Sequence, residues 1–224
     1  MKRELIATKD GSFTIALPEK NVTYRSVYGA IQESRHVFIN AGFNYVSRSV
    51  PGADVLYLLE IGLGTGLNAF LTFLETEKAA RAVHYTAVEP YPITMEEIAQ
   101  LNYCSQLNRD DLKEWFFNLH QCEWERDISL RLLFTIYKSA KSLLDLPAKK
   151  YHLIYFDPFA PASEPELWSQ PIFETLHSML LPGGVLVTYS SKGEVRRTML
   201  NAGFAVEKIP GPPGKREMIR AIKK

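Results

Sequence analysis

The stretch that most constrains this chain is Val55-Leu-Tyr-Leu-Leu-Glu60, continued by Ile61-Gly62-Leu63-Gly64-Thr65-Gly66 and then by a helical pattern over residues 68–77. A short, β-rich apolar run predicts a strand buried on both faces, and glycines at alternate positions predict a sharp turn with the backbone pressed against something. Strand, glycine turn and helix in that order open a parallel α/β sheet. Further strands are predicted at 84–89, 131–137, 151–156 and 185–189, with helices at 172–180 and 194–202 between or after them. Near-continuous apolar strands separated by helices mean that both sheet faces are covered. Residues 205–209 and 218–222 read as a closing antiparallel hairpin at one edge.

The rest of the chain is read around that frame. Residues 10–24 predict a short antiparallel element turning at Asp10-Gly11, and 26–41 a helix stopped by Gly42. Residues 94–122 read as one long, largely helical stretch carrying Trp115, Phe116 and Phe117, and Pro182-Gly183-Gly184 as the close of the 172–180 helix. At 224 residues the chain fits one structural unit, read as an N-terminal extension over 1–50 and a sheet domain over 51–224. No apolar run is long enough to span a bilayer, and Met1-Lys2-Arg3-Glu4 is not followed by a signal core, so a cytoplasmic protein without membrane attachment is expected. Cys104 and Cys122 carry no metal-ligand spacing and read as reduced thiols. The histidines His36, His84, His120, His152 and His177 are scattered and read as surface or packing residues, so no metal is expected. Net charge is +1, but residues 192–224 hold nine Lys and Arg against three Glu, a local balance of +6. Such a segment fits phosphate contact or a solvated surface equally.

Three features carry chemistry. Glu60-x-Gly62-x-Gly64-x-Gly66 differs from the dinucleotide GxGxxG spacing, and its acid would repel a pyrophosphate. A carboxylate there suits a ligand with an ammonium group, such as S-adenosyl-L-methionine with its methionyl amine and sulfonium. Glu89 ends the second strand, where a carboxylate can accept both hydroxyls of a ribose. Asp157-Pro158-Phe159-Ala160-Pro161 ends the fourth strand and resembles the Asp-Pro-Pro-aromatic loops of enzymes that methylate exocyclic nitrogens. Proline stiffens such a loop, a carboxylate can orient an amine lone pair, and an aromatic ring can stack on a flat base. The bland alternative for each is a structural turn or a capping acid.

Several stretches together resemble the methyltransferase family that converts 5-aminomethyl-2-thiouridine to its methylaminomethyl form at the tRNA wobble position. They are Ser26-x-x-Gly29-x-x-x-Glu33-x-x-His36, the glycine loop through Asn68, Glu89-Pro-Tyr-Pro-Ile-Thr94, Asp157-Pro-Phe-Ala-Pro161 with Pro165-x-x-Trp168, Pro182-Gly-Gly184, 190–197, Gly203-Phe204 and Gly214-Lys-Arg-Glu-Met218. The resemblance implies a Rossmann-like S-adenosyl-L-methionine methyltransferase fold with a mostly parallel seven-stranded sheet. It implies Asp157 as the catalytic residue, and Glu60, Gly62, Gly64, Gly66, Asn68, Glu89, Ser139 and Asp157 as cofactor contacts. Glu33, Phe159, Pro161, Trp168, Lys215 and Arg216 would meet the substrate. Lys138-Ser139-Ala140 stands where an acid and a small residue are expected near the adenine, and Glu164 where an Asn is usual. The family's bifunctional members continue into a flavin-dependent oxidase domain, so a stand-alone methyltransferase is implied, with tRNA as partner and a separate enzyme supplying the aminomethyl substrate. A small-molecule or protein amine as acceptor, and a non-catalytic binding module, are the alternatives.

Overall fold

The computed structural model describes residues 2–50 and 52–224; Met1 and Pro51, the first residue of the expected sheet domain, lie outside them. Strands β1 (Glu4–Ala7), β2 (Phe13–Leu17) and β3 (Val22–Thr23) form a small antiparallel sheet. Its first turn is made by Asp10, whose carboxylate accepts from Ser12 N at 3.0 Å, with Gly11 at positive φ. The predicted 10–24 element is therefore real but begins earlier.

Helix α1 (Ala30–Ser34) runs into a π-helical stretch, Arg35–Phe43, and then α2 (Asn44–Ser49). Gly42 does not stop this helix as expected. A Cβ there would lie 3.0 Å from Val187 Cγ2 and 3.1 Å from Tyr155 Cε1, so glycine serves the close approach of helix to sheet. Next come β4 (Val55–Ile61), α3 (Leu67–Ala79) and β5 (Ala82–Val88). The long helix expected at 94–122 is broken into α4 (Met95–Ala99), α5 (Tyr103–Gln106) and α6 (Lys113–Gln121). Thr94 and Glu97 form a reciprocal capping box that starts α4, while Asn108 adopts a left-handed conformation between α5 and α6. Phe73 of α3 stacks on Trp115 of α6 with ring centroids 4.0 Å apart, which holds this helical layer on the sheet.

The third predicted strand is in fact a hairpin, β6 (Asp127–Arg131) and β7 (Phe134–Ser139). β6 alternates exposed and half-buried residues, the pattern of an edge strand with one wet face, which an apolar-run criterion passes over. Then follow β8 (Tyr151–Phe156), α7 (Gln170–Met179), β9 (Leu180–Thr188), α8 (Gly193–Asn201), β10 (Ala205–Pro210) and β11 (Glu217–Ile222). Pro182-Gly183-Gly184 lies inside β9 rather than closing α7, and Gly183 N donates to Lys223 O at 2.8 Å.

The large sheet has eight strands, one more than expected, in the order β10-β11-β9-β8-β4-β5-β7-β6. Its five central strands are parallel, and antiparallel strands close both edges rather than one. Apolar clusters cover both faces: Phe38, Phe70, Tyr85 and Tyr155 on one, Phe156, Phe173, Leu186 and Met199 on the other. No helix among the described residues is long and apolar enough to cross a membrane.

Candidate active site

The chain leaves β4 towards β5 and returns as β8 on the opposite side of β4, so the loops after β4 and β8 part and open a crevice at the carboxyl ends of the strands. The crevice floor is knitted from backbone: Gly62 N donates to Val88 O at 2.9 Å, and Asp157 N donates to Ile61 O at 3.0 Å. Gly62 has φ +89°, and a Cβ would come within 2.8 Å of the Asp157 carbonyl oxygen. Gly64, at φ +50°, would press a Cβ to 2.9 Å from the Tyr24 ring. The glycine spacing is therefore imposed by the neighbours on each side of the loop.

Above this floor lies a cavity of about 920 Å³, walled by Tyr24, Arg25, Glu33, Gly62, Gly64, Glu89, Asp157, Phe159, Tyr189 and Lys215 among others. Glu89 accepts from Gly64 N at 2.9 Å and Tyr91 N at 3.0 Å, which turns its carboxylate back over the glycine turn. The β8 loop ties itself down. Phe159 N donates to Glu164 Oε2 at 3.0 Å, Trp168 Nε1 to Phe159 O at 2.8 Å, and Tyr189 Oη to Pro158 O at 2.9 Å. Tyr24 meets Phe159 edge-on with centroids 5.1 Å apart, so an aromatic wall faces the loop.

Asp157 is the electrostatic centre of the crevice. Its Oδ2 accepts from Arg25 Nη1 and, at 2.9 Å, from Asn68 Nδ2, while no described residue donates to Oδ1. The same Asn68 amide donates to Glu60 Oε1 at 2.8 Å, and Tyr85 Oη donates to Glu60 Oε2 at 2.7 Å. Burial pushes the Asp157 carboxyl up to about 7, against the opposing pull of Arg25. Glu60, wholly enclosed, is pushed up to about 8, again chiefly by burial. Both groups thus keep their protons to higher pH in the fold than in the unfolded chain. Their stabilising contribution is complete below about pH 4 and is lost as pH rises through 7 to 8. The free energy of unfolding is expected to fall between pH 5 and 8, and Glu60→Gln to flatten that fall by up to about 1.4 kcal/mol per pH unit. Denaturant titrations at three pH values check this; identical slopes in wild type and variant reject a buried, protonated Glu60.

Of the residues expected at the site, Glu33, Gly62, Gly64, Glu89, Asp157, Phe159 and Lys215 line the cavity. Glu60, Gly66, Asn68, Ser139, Pro161, Trp168 and Arg216 do not. Glu60 and Asn68 stand behind the wall as a hydrogen-bonded relay to Asp157. Gly66 faces the other way, where a Cβ would meet His120 Nε2 at 2.6 Å, and burial pulls the His120 imidazole down to about 3, so it packs as a neutral ring. Trp168 holds the loop through its indole. Ser139 is buried and donates to Glu125 Oε1 at 2.9 Å; Glu125 also accepts from Ala140 N, so an acid reaches the end of β7 from another segment. The adjoining Lys138, fully buried, donates to His120 O at 2.6 Å. Arg25, Tyr24 and Tyr189 were missed. Arg25 meets a partner 132 positions away, and no local pattern in the sequence announces that. Among the described residues, no three or more His, Cys, Asp or Glu side chains cluster as a metal site.

A doubly covered, mostly parallel sheet with a glycine turn at its switch point and a carboxylate ending the adjacent strand defines the Rossmann-like methyltransferase class. The chain belongs to the family described as S-adenosyl-L-methionine-dependent methyltransferases, whose model matches residues 100–224. It is similar to the tRNA 5-methylaminomethyl-2-thiouridine biosynthesis bifunctional protein MnmC of Aromatoleum aromaticum, 34% identical over 212 residues, 88% of this chain and 32% of that protein. The protein of the same name from Cupriavidus metallidurans is 30% identical over 228 residues, covering 96% and 33%. The chain thus spans about a third of the length of these curated relatives. The crystal structure of MNMC2 from Aquifex aeolicus superposes with TM-score 0.80 at 22% identity, covering all of this chain and 71% of that one. That likeness shows a shared fold.

Proposed function

We propose that this chain methylates the primary amine of 5-aminomethyl-(2-thio)uridine at the tRNA wobble position, using S-adenosyl-L-methionine. The observation that carries this reading is Asp157, a buried carboxylate at the switch point with one oxygen held by Arg25 and Asn68 and the other without a described donor. The names of the curated relatives support the nucleoside.

The residues fit the donor. Gly62 and Gly64 line a cradle packed so closely on the Asp157 carbonyl and the Tyr24 ring that neither admits a Cβ, Glu89 offers carboxylate oxygens to a ribose, and the surrounding carboxylates favour a cationic ligand. Glu60, Asn68 and Gly66 act on that cradle from behind, and Ser139 shapes its far end through Glu125. When bound, the donor supplies an electrophilic methyl group on its sulfonium. The protein positions the acceptor: Asp157 Oδ1 accepts an N–H of the neutral amine, so that the lone pair faces the methyl, and takes a proton from the nitrogen once the methyl has been transferred and the sulfonium has left as the neutral thioether. The resulting charge on nitrogen is met by the same carboxylate. Phe159 and Tyr24 flank a flat pyrimidine, with Pro161 and Trp168 keeping the loop rigid.

Residues 1–50 supply Tyr24, Arg25 and Glu33 as a cover over the crevice. Lys215, 3.1 Å from Glu33 Oε2, lines the cavity, and with the adjoining Arg216 it would contact tRNA phosphates. The aminomethyl substrate calls for a separate enzyme upstream, and tRNA places the reaction in the cytoplasm.

Incubation with labelled donor and tRNA bearing aminomethyl-uridine, followed by nucleoside mass analysis, tests the proposal. Label in methylaminomethyl-uridine is expected; label only in a free amine or a protein would replace the acceptor. Glu89→Ala is expected to weaken donor binding by about 10- to 100-fold, the range for losing charged hydrogen bonds. Calorimetry with S-adenosylhomocysteine measures it, and wild-type affinity would remove Glu89 from the ribose site.

A further inference from the structure

Arg25 is more deeply enclosed than any other charged group facing the cavity. Its side chain is 2% exposed, and its environment is acidic, with Asp157, Glu60 and Glu33 all nearby. A guanidinium has three nitrogens, and in the fold only part of it is used. Nη1 donates to Asp157 Oδ2, Nε is buried with no hydrogen-bond partner, and no described group accepts from Nη2. Nε and Nη2 are therefore two adjacent donors without acceptors, the first enclosed, on a residue that lines the cavity. A buried, unsatisfied N–H costs free energy comparable to a lost hydrogen bond, so a planar anion meeting that edge would recover it. A carboxylate is planar, and its two oxygens match a guanidinium edge.

The ligand already proposed for this crevice carries one such group. We infer that Arg25 is the reader of the α-carboxylate of the donor's methionyl moiety, gripping it through Nε and Nη2 while Nη1 stays on Asp157. One side chain would then link donor seating to the orientation of the carboxylate that receives the amine. Arg25 is fixed for this: Arg25 N donates to Thr14 Oγ1 at 3.0 Å, Arg25 O accepts from Thr23 Oγ1 at 2.7 Å, and the guanidinium carbon lies 5.9 Å from the Phe38 ring centre. The N-terminal sheet thereby becomes part of the donor site.

The inference rests on the donor reading above, and the experiment separates the two. Calorimetry compares S-adenosylhomocysteine with its decarboxylated analogue, which keeps the amine and the adenosine. Wild type is expected to prefer the carboxylate by about 10- to 100-fold, the range for a charged bidentate contact. Arg25→Met is expected to abolish the preference by weakening only the carboxylate ligand. Binding of neither compound by wild type would reject the donor reading itself. Equal binding of both by wild type, or an undiminished preference in Arg25→Met, would overturn the role of Arg25 while leaving the donor reading intact. If Arg25→Met does not fold, Arg25→Lys takes the same measurement: a point charge in place of the fork cuts the preference severalfold if Arg25 reads the carboxylate, and leaves it unchanged if another group does.

Discussion

Asp157→Asn is expected to slow methyl transfer by roughly 10²- to 10⁴-fold, the range supplied by a positioned acid–base group, while donor affinity stays within about threefold of wild type. The amide keeps the shape of the side chain and can still accept from Arg25 and Asn68, so the scaffold around it survives. What it loses is a basic oxygen. The charge that grows on nitrogen during transfer meets a neutral dipole, and the methylated ammonium then has no acceptor for its proton. Asn is the informative replacement because Ala would strand the buried Arg25 guanidinium without a partner, a change that costs about 3–5 kcal/mol by itself. Single-turnover transfer to aminomethyl-uridine tRNA, with donor affinity measured in parallel, checks the prediction. Wild-type turnover in Asp157→Asn would end the proposed role.

Gly62→Ala is expected to lower both donor affinity and transfer by roughly 100-fold, since displacements of about an ångström at a reacting centre have effects of that size. The added methyl falls 2.8 Å from the Asp157 carbonyl oxygen, and its neighbour is backbone rather than a flexible side-chain end. Either the glycine turn or the β8 loop must move, and both walls of the crevice separate. The backbone is also at φ +89°, which adds about 1–3 kcal/mol of strain in the folded state. Thermal melts and calorimetry on the same sample distinguish the two consequences. Unaltered donor affinity in Gly62→Ala would mean that the glycine serves the turn alone.

The prediction for Gly62 shows why the core of this fold was legible. β4, β5 and β8 are apolar runs buried on both faces, and such runs declare themselves in composition alone. The misses share a cause as well. β6 is an edge strand with a polar face, so Asp127, Ser129 and Arg131 alternate with Ile128 and Leu130 and no continuous apolar run forms. Gly42 reads as a stop when only its neighbours in sequence are considered, yet its reason is the sheet residues Val187 and Tyr155 pressed against it. The 94–122 segment has helical composition throughout, and its breaks come from a capping box and a left-handed Asn108.

At the site the division is sharper. Local order alone singled out the glycine turn, Glu89 and Asp157 as candidates, and the fold brings Gly62, Gly64, Glu89 and Asp157 to the wall of one cavity. Their roles relative to one another came from folding. Glu60 was expected to face a cationic ligand, but the wall encloses it, and Asn68 links it to Asp157 instead. Arg25, separated from Asp157 by more than half the chain, enters the crevice only because a three-stranded N-terminal sheet lays it there. Which residues are candidates for chemistry follows from composition and spacing along the backbone; which of them share a charge, a proton or a ligand depends on distances of a few ångströms, and only packing sets those.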